Sequence, residues 1–194
     1  GIVGYNGKNS VTDLLLDSLE LLEYRGYDSA GLATMNANTG KVKLRKCAGR
    51  VKDLRKICAK DKKISTCGIG HTRVSDLNAH PHRVGDVLLV HNGIVENYEE
   101  LKDHFMLHKD LKSQTDTEVV AAVLNRFYQG DPHEAIRKTV KYLKGTFALV
   151  IMFTDQPDVI YAIRNVSPIV AAYNDNGTML ASDVVALGAT ADKY

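Results

Sequence analysis

The hydrophobic and polar positions in the first part of the chain predict a helix followed by a hairpin. Leucines recur at helical spacing after Ser10, Asp13 stands three residues beyond Ser10 as in a capping box, and Gly26 provides a stop. A helix of about three turns is expected there. Polar and apolar residues alternate from Lys41 to Lys46 after an Asn-Thr-Gly turn, which predicts a hairpin over GLATMNANTGKVKLRKC.

Further helices and strands are predicted along the rest of the chain. Helices are expected over VKDLRKICAK, IVENYEELKDHF, DTEVVAAVLNRFYQG and PHEAIRKTVKYLKG. Strands are expected over GIVGY, ISTCGIGHT, VLLVHNG, TFALVIMF, DVIYAIRN, IVAAYNDNG and TMLASD. The strand VLLVHNG is expected to run into a turn at Asn92 and Gly93. Strands, then a block of helices, then strands predict a layered α+β domain and not a βαβ alternation.

Length and composition favour one globular domain. The chain has 194 residues, 44% of them hydrophobic, and no Pro/Gly/Ser-rich linker divides it. No apolar run approaches the roughly 18 residues that span a bilayer, and the basic-then-apolar order of a signal peptide is missing. We therefore expect a soluble, cytoplasmic protein without a membrane partner. Cys47, Cys58 and Cys67 match neither a disulfide framework nor a CxxC zinc pattern, so free thiols are expected.

One stretch of the chain is strongly basic. The segment 41–63 holds 11 of the 25 Lys and Arg residues against two acids, Asp53 and Asp61. Such an excess can indicate nucleic-acid binding. However, no aromatic residue lies between Tyr27 and Tyr98 to stack on bases, and no recognised nucleic-acid module is present. A solvated basic face, with no nucleic-acid partner, is the favoured interpretation.

Candidate chemistry is concentrated at predicted strand ends. Four histidines lie there: His71, His80, His82 and His91. As a metal site, His80-Pro81-His82 lacks the required spacing, and no carboxylate or cysteine accompanies it. Three polar clusters are more informative: LEYRGYDSAG, GHTR, and HNG followed later by TDTE. Each places a charged group, or a glycine with an open backbone N–H, at the end of a secondary element, where sites on rigid scaffolds are built.

Seven motifs together resemble one family. They stand in the family's order: GIVGY, LEYRGYDSAGLA, GIGHTR, NAHPH, VHNGIVENYEEL, QTDTEVVAAVL and LASD. With these motifs the chain resembles the glutaminase (type 2 glutamine amidotransferase) domains of the glucosamine-6-phosphate synthase family. The members of this family are also called isomerizing glutamine:fructose-6-phosphate amidotransferases. The resemblance extends from Gly1 to about Ala186. The resemblance implies an N-terminal-nucleophile hydrolase fold with four αββα layers, in which two antiparallel sheets face each other between helices.

The resemblance also implies a nucleophile. In the family, a cysteine immediately before the glycine that matches Gly1 attacks the glutamine amide to give a thioester, and its own α-amino group serves as the base. An α-amine with a pKa near 8 suits that task at neutral pH. The sequence begins at Gly1, so this cysteine is not within it. Cys67, in CGIG, is internal and has no free amine, so a buried strand cysteine is the favoured interpretation.

The remaining site residues are implied by the same resemblance. The Asn92 amide and the Gly93 N–H match the family's oxyanion hole, although an Asn-Gly pair is also common in plain turns. Arg73 matches the clamp on the substrate carboxylate, against the alternative of an exposed strand-end charge. Asp116 matches the acceptor of the substrate ammonium, and it could also cap a helix. Gly93 could add a backbone contact to the same end of glutamine.

Two further residues have two interpretations each. Arg25 resembles the family arginine that orients the nucleophile, and the alternative is an ion pair with Asp28. His80 resembles a pocket-lining, substrate-binding histidine, and the alternative is a packed side chain. No metal and no organic cofactor are implied.

The chain departs from the family after Arg73 and at its end. A lid loop with a tryptophan, a threonine and a histidine follows the family arginine, whereas here HTR passes directly to VSDLNAHPH and there is no tryptophan. Val74 is therefore not interpreted as the lid's gatekeeper. The expected domain spans 1–194 and is shortened at its C-terminal end, without the sugar-phosphate isomerase domain that would be its partner.

The function expected from the resemblance is hydrolysis of L-glutamine to glutamate and ammonia, the ammonia serving glucosamine 6-phosphate synthesis from fructose 6-phosphate. A homodimer of the full-length protein is a further expectation. The alternative is a catalytically inactive glutamine-binding or regulatory module of the same fold.

Overall fold

The computed structural model describes residues 1–61, 64–73 and 79–190. Within these ranges the chain forms ten strands: β1 Ile2–Gly7, β2 Ser29–Met35, β3 Val42–Ala48, β4 Cys67–Arg73, β5 His82–Val84, β6 Val87–Val95, β7 Gly145–Phe153, β8 Tyr161–Asn165, β9 Val170–Asn174 and β10 Gly177–Ala181. The α-helices are α1 Val11–Glu20, α2 Val51–Cys58, α3 Tyr98–His104, α4 Asp116–Phe127 and α5 Pro132–Val140, with 3₁₀ turns at Glu23–Arg25 and Val184–Thr190. No helix in the described part of the chain is long and apolar enough to cross a membrane.

The strands form two antiparallel sheets. One has six strands in the order β3-β2-β4-β1-β10-β9, and the other has four in the order β5-β6-β7-β8. β1 lies inside the larger sheet, with Val3 opposite Gly70 of β4 and opposite Ala181 of β10. Both neighbours of β1 therefore come from distant parts of the sequence, which places its first residues against the ends of two other motifs.

Three hydrophobic clusters separate four layers. One cluster lies between the larger sheet and the helices α1 and α2, and another lies between the smaller sheet and α3, α4 and α5. The third, which includes Ile2, Ile69, Leu88 and Val150, fills the space between the two sheets. Side chains alternate between the faces of a strand, so each sheet contributes one face to this middle cluster and one to a helix layer. The four-layer αββα arrangement expected from the resemblance is confirmed.

Most predicted elements are present, with two instructive differences. Ser10 occupies the N-cap position of α1 but makes no side-chain capping bond, and α1 ends at Glu20 instead of continuing to Gly26. The chain there tightens into the 3₁₀ turn Glu23–Arg25, which Gly26 ends. The predicted turn at Asn92 and Gly93 is wrong, because β6 continues through both residues and pairs them with Ala148 and Phe147 of β7.

Candidate active site

The start of β1 is held by backbone and side-chain hydrogen bonds from two motifs. The Gly1 nitrogen donates to the Thr72 carbonyl at 2.7 Å, and the Thr72 N–H donates to the Gly1 carbonyl at 3.0 Å. The Ile2 N–H donates to Ser182 Oγ at 2.9 Å. GHTR and LASD, which are far apart in sequence, thus fix the position of the N-terminal end of β1 from both sides.

Two arginines give this end of β1 a positive electrostatic potential. Burial, followed by the charges of Arg25 and Arg73, lowers the pKa of the Gly1 amine from 8.0 to about 5. Burial is the larger cause and disfavours any ion, whereas the charges of the two arginines disfavour an ammonium and favour an anion. The arginine charges would therefore favour a thiolate or an oxyanion over an ammonium at this place.

Asn92 is oriented by His71 of β4. Burial holds the pKa of His71 well below its usual range, so the ring is neutral. His71 Nε2 lies 2.9 Å from Asn92 Oδ1, and since that oxygen only accepts, the ring nitrogen donates. Asn92 is half-buried, and its Nδ2 has no hydrogen bond to another described residue. The amide N–H groups of Asn92 are therefore available to an acceptor from outside the described residues.

Gly93 continues β6 next to Asn92 in a conformation that only glycine adopts easily. Its φ is +116°, and a Cβ there would overlap the carbonyl oxygen of Thr146. The residue is exposed, in contrast to the four buried residues from Val87 to Val90. Gly93 thus keeps an accessible backbone beside the Asn92 amide.

Arg73 lies at the end of β4 against His80. Arg73 Nη1 is 3.4 Å from His80 Nδ1, and His80 Nε2 is 2.9 Å from the Thr117 hydroxyl. Burial, followed by the charges of the other histidines and Arg73, holds the pKa of His80 well below its usual range. The neutral His80 is almost fully buried and lies behind Arg73, so the side chain orders the guanidinium group.

His80 reaches this place because β2 carries a glycine opposite it. A Cβ on Gly31 would overlap the carbonyl oxygen of His80, so only glycine lets the segment cross the sheet this closely. Gly31 pairs with His71 in the register of β2 and β4. The His80 ring consequently stacks on the His71 ring at a centroid distance of 4.4 Å.

Asp116 begins α4 and is linked to His80 through Thr117. Its Oδ2 accepts from the Val95 N–H at 2.9 Å and its Oδ1 from the Thr117 N–H at 2.8 Å. Burial by itself would raise the pKa of Asp116, but the nearby His91 ring, 3.7 Å from Oδ2, and the hydrogen bonds from Val95 and Thr117 outweigh it and lower the pKa from 3.8 to about 2. The helix is capped by Thr115, whose hydroxyl accepts from the Glu118 N–H, and not by Asp116. Asp116 is thus a stable, partly exposed anion.

Arg25 forms an ion pair, but its partner is not the one considered from the sequence. Its Nη2 lies 2.6 Å from Asp183 Oδ2, and the Tyr24 hydroxyl donates to the same carboxylate oxygen at 2.6 Å. The Arg25 Nε donates to the Tyr24 hydroxyl at 2.8 Å. Asp183 belongs to LASD, so the ion pair connects the arginine with the segment that also holds the start of β1.

The structure brings most of the predicted site residues together. Asn92 and Gly93 are neighbours of His71, and Arg73, His80 and Asp116 are joined through Thr117. Sequence reasoning missed Thr117, His91 and Asp183 as members of this network. The motifs HNG, TDTE and LASD contained them, but nothing in the spacing showed that their side chains meet. Val74 lies outside the described residues.

Cys67 is excluded from the site by its surroundings. Cys67 is fully buried, and burial raises the pKa of its thiol to about 12, which confirms a structural strand cysteine. Among the residues that the structure describes, no group of three or more His, Cys, Asp or Glu side chains could hold a metal ion.

Part of the basic stretch is paired with acids across β3 and α2. Arg45 bonds Asp61 through two nitrogens, at 3.0 and 2.8 Å. Arg55 lies 2.7 Å from Asp17 and 3.0 Å from Glu20. These contacts draw in acids from outside the stretch and support the interpretation as a solvated basic face.

Comparison with known proteins agrees with this geometry. The structure is similar to that of the glutamine phosphoribosylpyrophosphate amidotransferase from Bacillus subtilis, with a TM-score of 0.82 over 96% of this chain and 42% of that chain, at 22% identity. A second solved structure, described as the allosteric regulatory enzyme of purine biosynthesis, gives a TM-score of 0.80. The fold is that of the N-terminal-nucleophile hydrolase amidotransferases.

The sequence itself identifies the family. Residues 74–189, more than half of the chain, match the glutamine amidotransferase domain family. The chain therefore belongs to the glutamine amidotransferase domain family. It is 41% identical to the isomerizing glutamine–fructose-6-phosphate aminotransferase of Clostridium acetobutylicum and 42% identical to that of Bacillus subtilis, each over 100% of this chain. It spans about a third of the length of these relatives, 33% and 34% respectively.

Proposed function

We propose that the chain is the glutaminase domain, residues 1–194, of a longer isomerizing glutamine:fructose-6-phosphate amidotransferase. It hydrolyses L-glutamine to glutamate and ammonia, and the ammonia is used by a sugar-phosphate isomerase domain of the same polypeptide to form glucosamine 6-phosphate. The single observation that carries the proposal is the network of contacts at the start of β1, in which His71, His80 and Thr117 connect the Asn92 amide and Arg73 with the Asp116 carboxylate. The proposed substrate cleft lies beside this network. The relatives' names and their greater length support the same assignment.

The cleft matches the two ends of glutamine. The guanidinium group of Arg73 suits the α-carboxylate, and the anion of Asp116 suits the α-ammonium. The side-chain amide would then lie toward Asn92 and Gly93, whose N–H groups suit a developing oxyanion. His80 acts behind Arg73, and Arg25 with Asp183 braces the segment around the nucleophile.

The reaction uses a cysteine attached to the Gly1 nitrogen. Its α-amine takes the thiol proton, and the thiolate attacks the amide carbon of glutamine to form a tetrahedral intermediate. When the C–N bond breaks, the proton passes to the leaving nitrogen, ammonia departs and a thioester remains. Water, deprotonated by the same amine, attacks the thioester, and the thiol leaves with a proton as glutamate forms. The positive potential from Arg25 and Arg73 favours the thiolate.

The test is made on the full-length protein. Intact mass and N-terminal sequencing establish whether a cysteine precedes Gly1, and glutamate release from glutamine is then measured with and without fructose 6-phosphate. A glutamine analogue with an electrophilic carbon in place of the amide should add one equivalent of mass at that cysteine. A native Gly1 terminus, or no glutamate release from the full-length protein, would sink the proposal.

The alternative, a catalytically inactive glutamine-binding module of the same fold, predicts a different result in the same samples. Glutamine would bind without turnover, and Asp116→Ala would weaken binding with no glutamate formed by either protein. A cytoplasmic location and a homodimer of the full-length protein stay predictions.

A further inference from the structure

The Thr117 hydroxyl lies at the centre of the network behind the cleft. Thr117 is fully buried in the first turn of α4. Its Oγ1 is 2.9 Å from His80 Nε2, 3.0 Å from His91 Nδ1 and 3.3 Å from Asp116 Oδ1. One hydroxyl group thus contacts the side chain behind Arg73 and the carboxylate of Asp116 at the same time.

The chemistry of the partners determines the direction of these hydrogen bonds. Arg73 only donates, so His80 Nδ1 accepts and the proton of the neutral ring is on Nε2, which donates to Thr117. Asp116 is ionised and only accepts, so the hydroxyl proton of Thr117 points to it. The second lone pair of Oγ1 is then left for His91 Nδ1–H. Every donor in this set has an acceptor.

We propose that Thr117 is a positioning residue that couples Arg73 to Asp116 through one directed chain of hydrogen bonds. The inference rests on the proposed function, because the coupled side chains are the ones assigned to the two charges of glutamine. The hydroxyl holds the His80 tautomer that can accept from Arg73, and it turns the Asp116 carboxylate toward the cleft. Thr117 contacts neither substrate nor nucleophile. It contributes by holding Arg73 and Asp116 in place, so that the carboxylate and the ammonium of an α-amino acid are bound at the same time.

The test compares three variants of the full-length protein. Thr117→Val keeps the shape and removes the hydroxyl, Thr117→Ser keeps the hydroxyl, and Thr139→Val removes another buried threonine hydroxyl, which bonds the Ala135 carbonyl in α5. In Thr117→Val, KM for glutamine should rise about tenfold with kcat changed less than about threefold, the size expected when a hydrogen bond to a charged group is lost. Thr117→Ser and Thr139→Val should stay within about twofold of wild type.

A second substrate distinguishes a positioning role of Thr117 from a nonspecific loss of activity. 4-Carbamoylbutanoate is glutamine without the α-ammonium, so it needs no Asp116. The preference for glutamine over this analogue, as a ratio of kcat/KM values, should fall about threefold in Thr117→Val and be restored in Thr117→Ser. The fall is smaller than the tenfold loss on glutamine because the analogue still binds through Arg73. Equal losses on both substrates, or a Thr117→Val enzyme with wild-type KM and preference, would overturn the inference. A wild-type protein that releases no glutamate would instead refute the proposed function.

Discussion

Replacing Asp116 with alanine removes the anion assigned to the substrate ammonium and leaves the rest of the cleft in place. The side chain is 14% exposed, and its pKa of about 2 keeps it charged throughout the neutral range. A partly buried ionic hydrogen bond of this kind contributes about 2 to 3 kcal/mol, which corresponds to a roughly 30- to 150-fold loss of kcat/KM for glutamine. At glutamine concentrations well below the new KM, glutamate release should be close to background.

The same substitution also affects folding, and this needs a matched control. Asp116→Ala leaves the Val95 N–H without its acceptor, at a cost of about 1 to 3 kcal/mol of stability. Asp131 likewise accepts a backbone N–H at a helix start, from Glu134, but it is exposed at the beginning of α5. Asp131→Ala should lower stability by about 1 kcal/mol and leave KM unchanged.

The assay is steady-state glutamate release, with thermal unfolding measured on the same samples. If the reasoning holds, Asp116→Ala loses kcat/KM at a temperature where both variants are folded, and Asp131→Ala does not. An Asp116→Ala enzyme with kcat/KM within about twofold of wild type would refute the role of this carboxylate in substrate binding.

Three further perturbations address other parts of the site. Asn92→Ala should lower kcat about 100- to 1,000-fold with little change in KM, since the amide is assigned to a charge that develops only in the transition state; a KM effect alone would contradict this. Gly31→Ala should raise KM and lower Tm, because the new Cβ displaces the His80 carbonyl, and a crystal structure with His80 unmoved would contradict it. The lowered pKa of Asp116 contributes stability that is present above pH 3.8 and is lost as pH falls toward 2. At about 1.4 kcal/mol per pKa unit this is about 2 kcal/mol, and Asp116→Asn should remove it from an acid-unfolding curve.

The local pattern predicted the elements well because each is encoded over a few neighbouring residues. The leucines of α1 determine which face of the helix is buried, the alternation along β3 indicates a strand, and Pro132 marks the start of α5. The errors lie where tertiary contacts outweigh local preference. Asn92-Gly93 has turn chemistry, yet the pairing with β7 carries β6 straight through it.

The sequence by itself determined the α+β class and the order of helices and strands, and through the resemblance it predicted the residues proposed for the site. It could not determine how those residues contact one another, because β1 is placed between β4 and β10, which are distant in sequence, and His80 reaches the site only by crossing at Gly31. The partner of Arg25 is likewise set by the strand order, which brings LASD beside the start of β1. Hydrogen-bond partners as far apart in sequence as His80 and Thr117 are selected by the packing of two sheets and a helix, which no local spacing encodes.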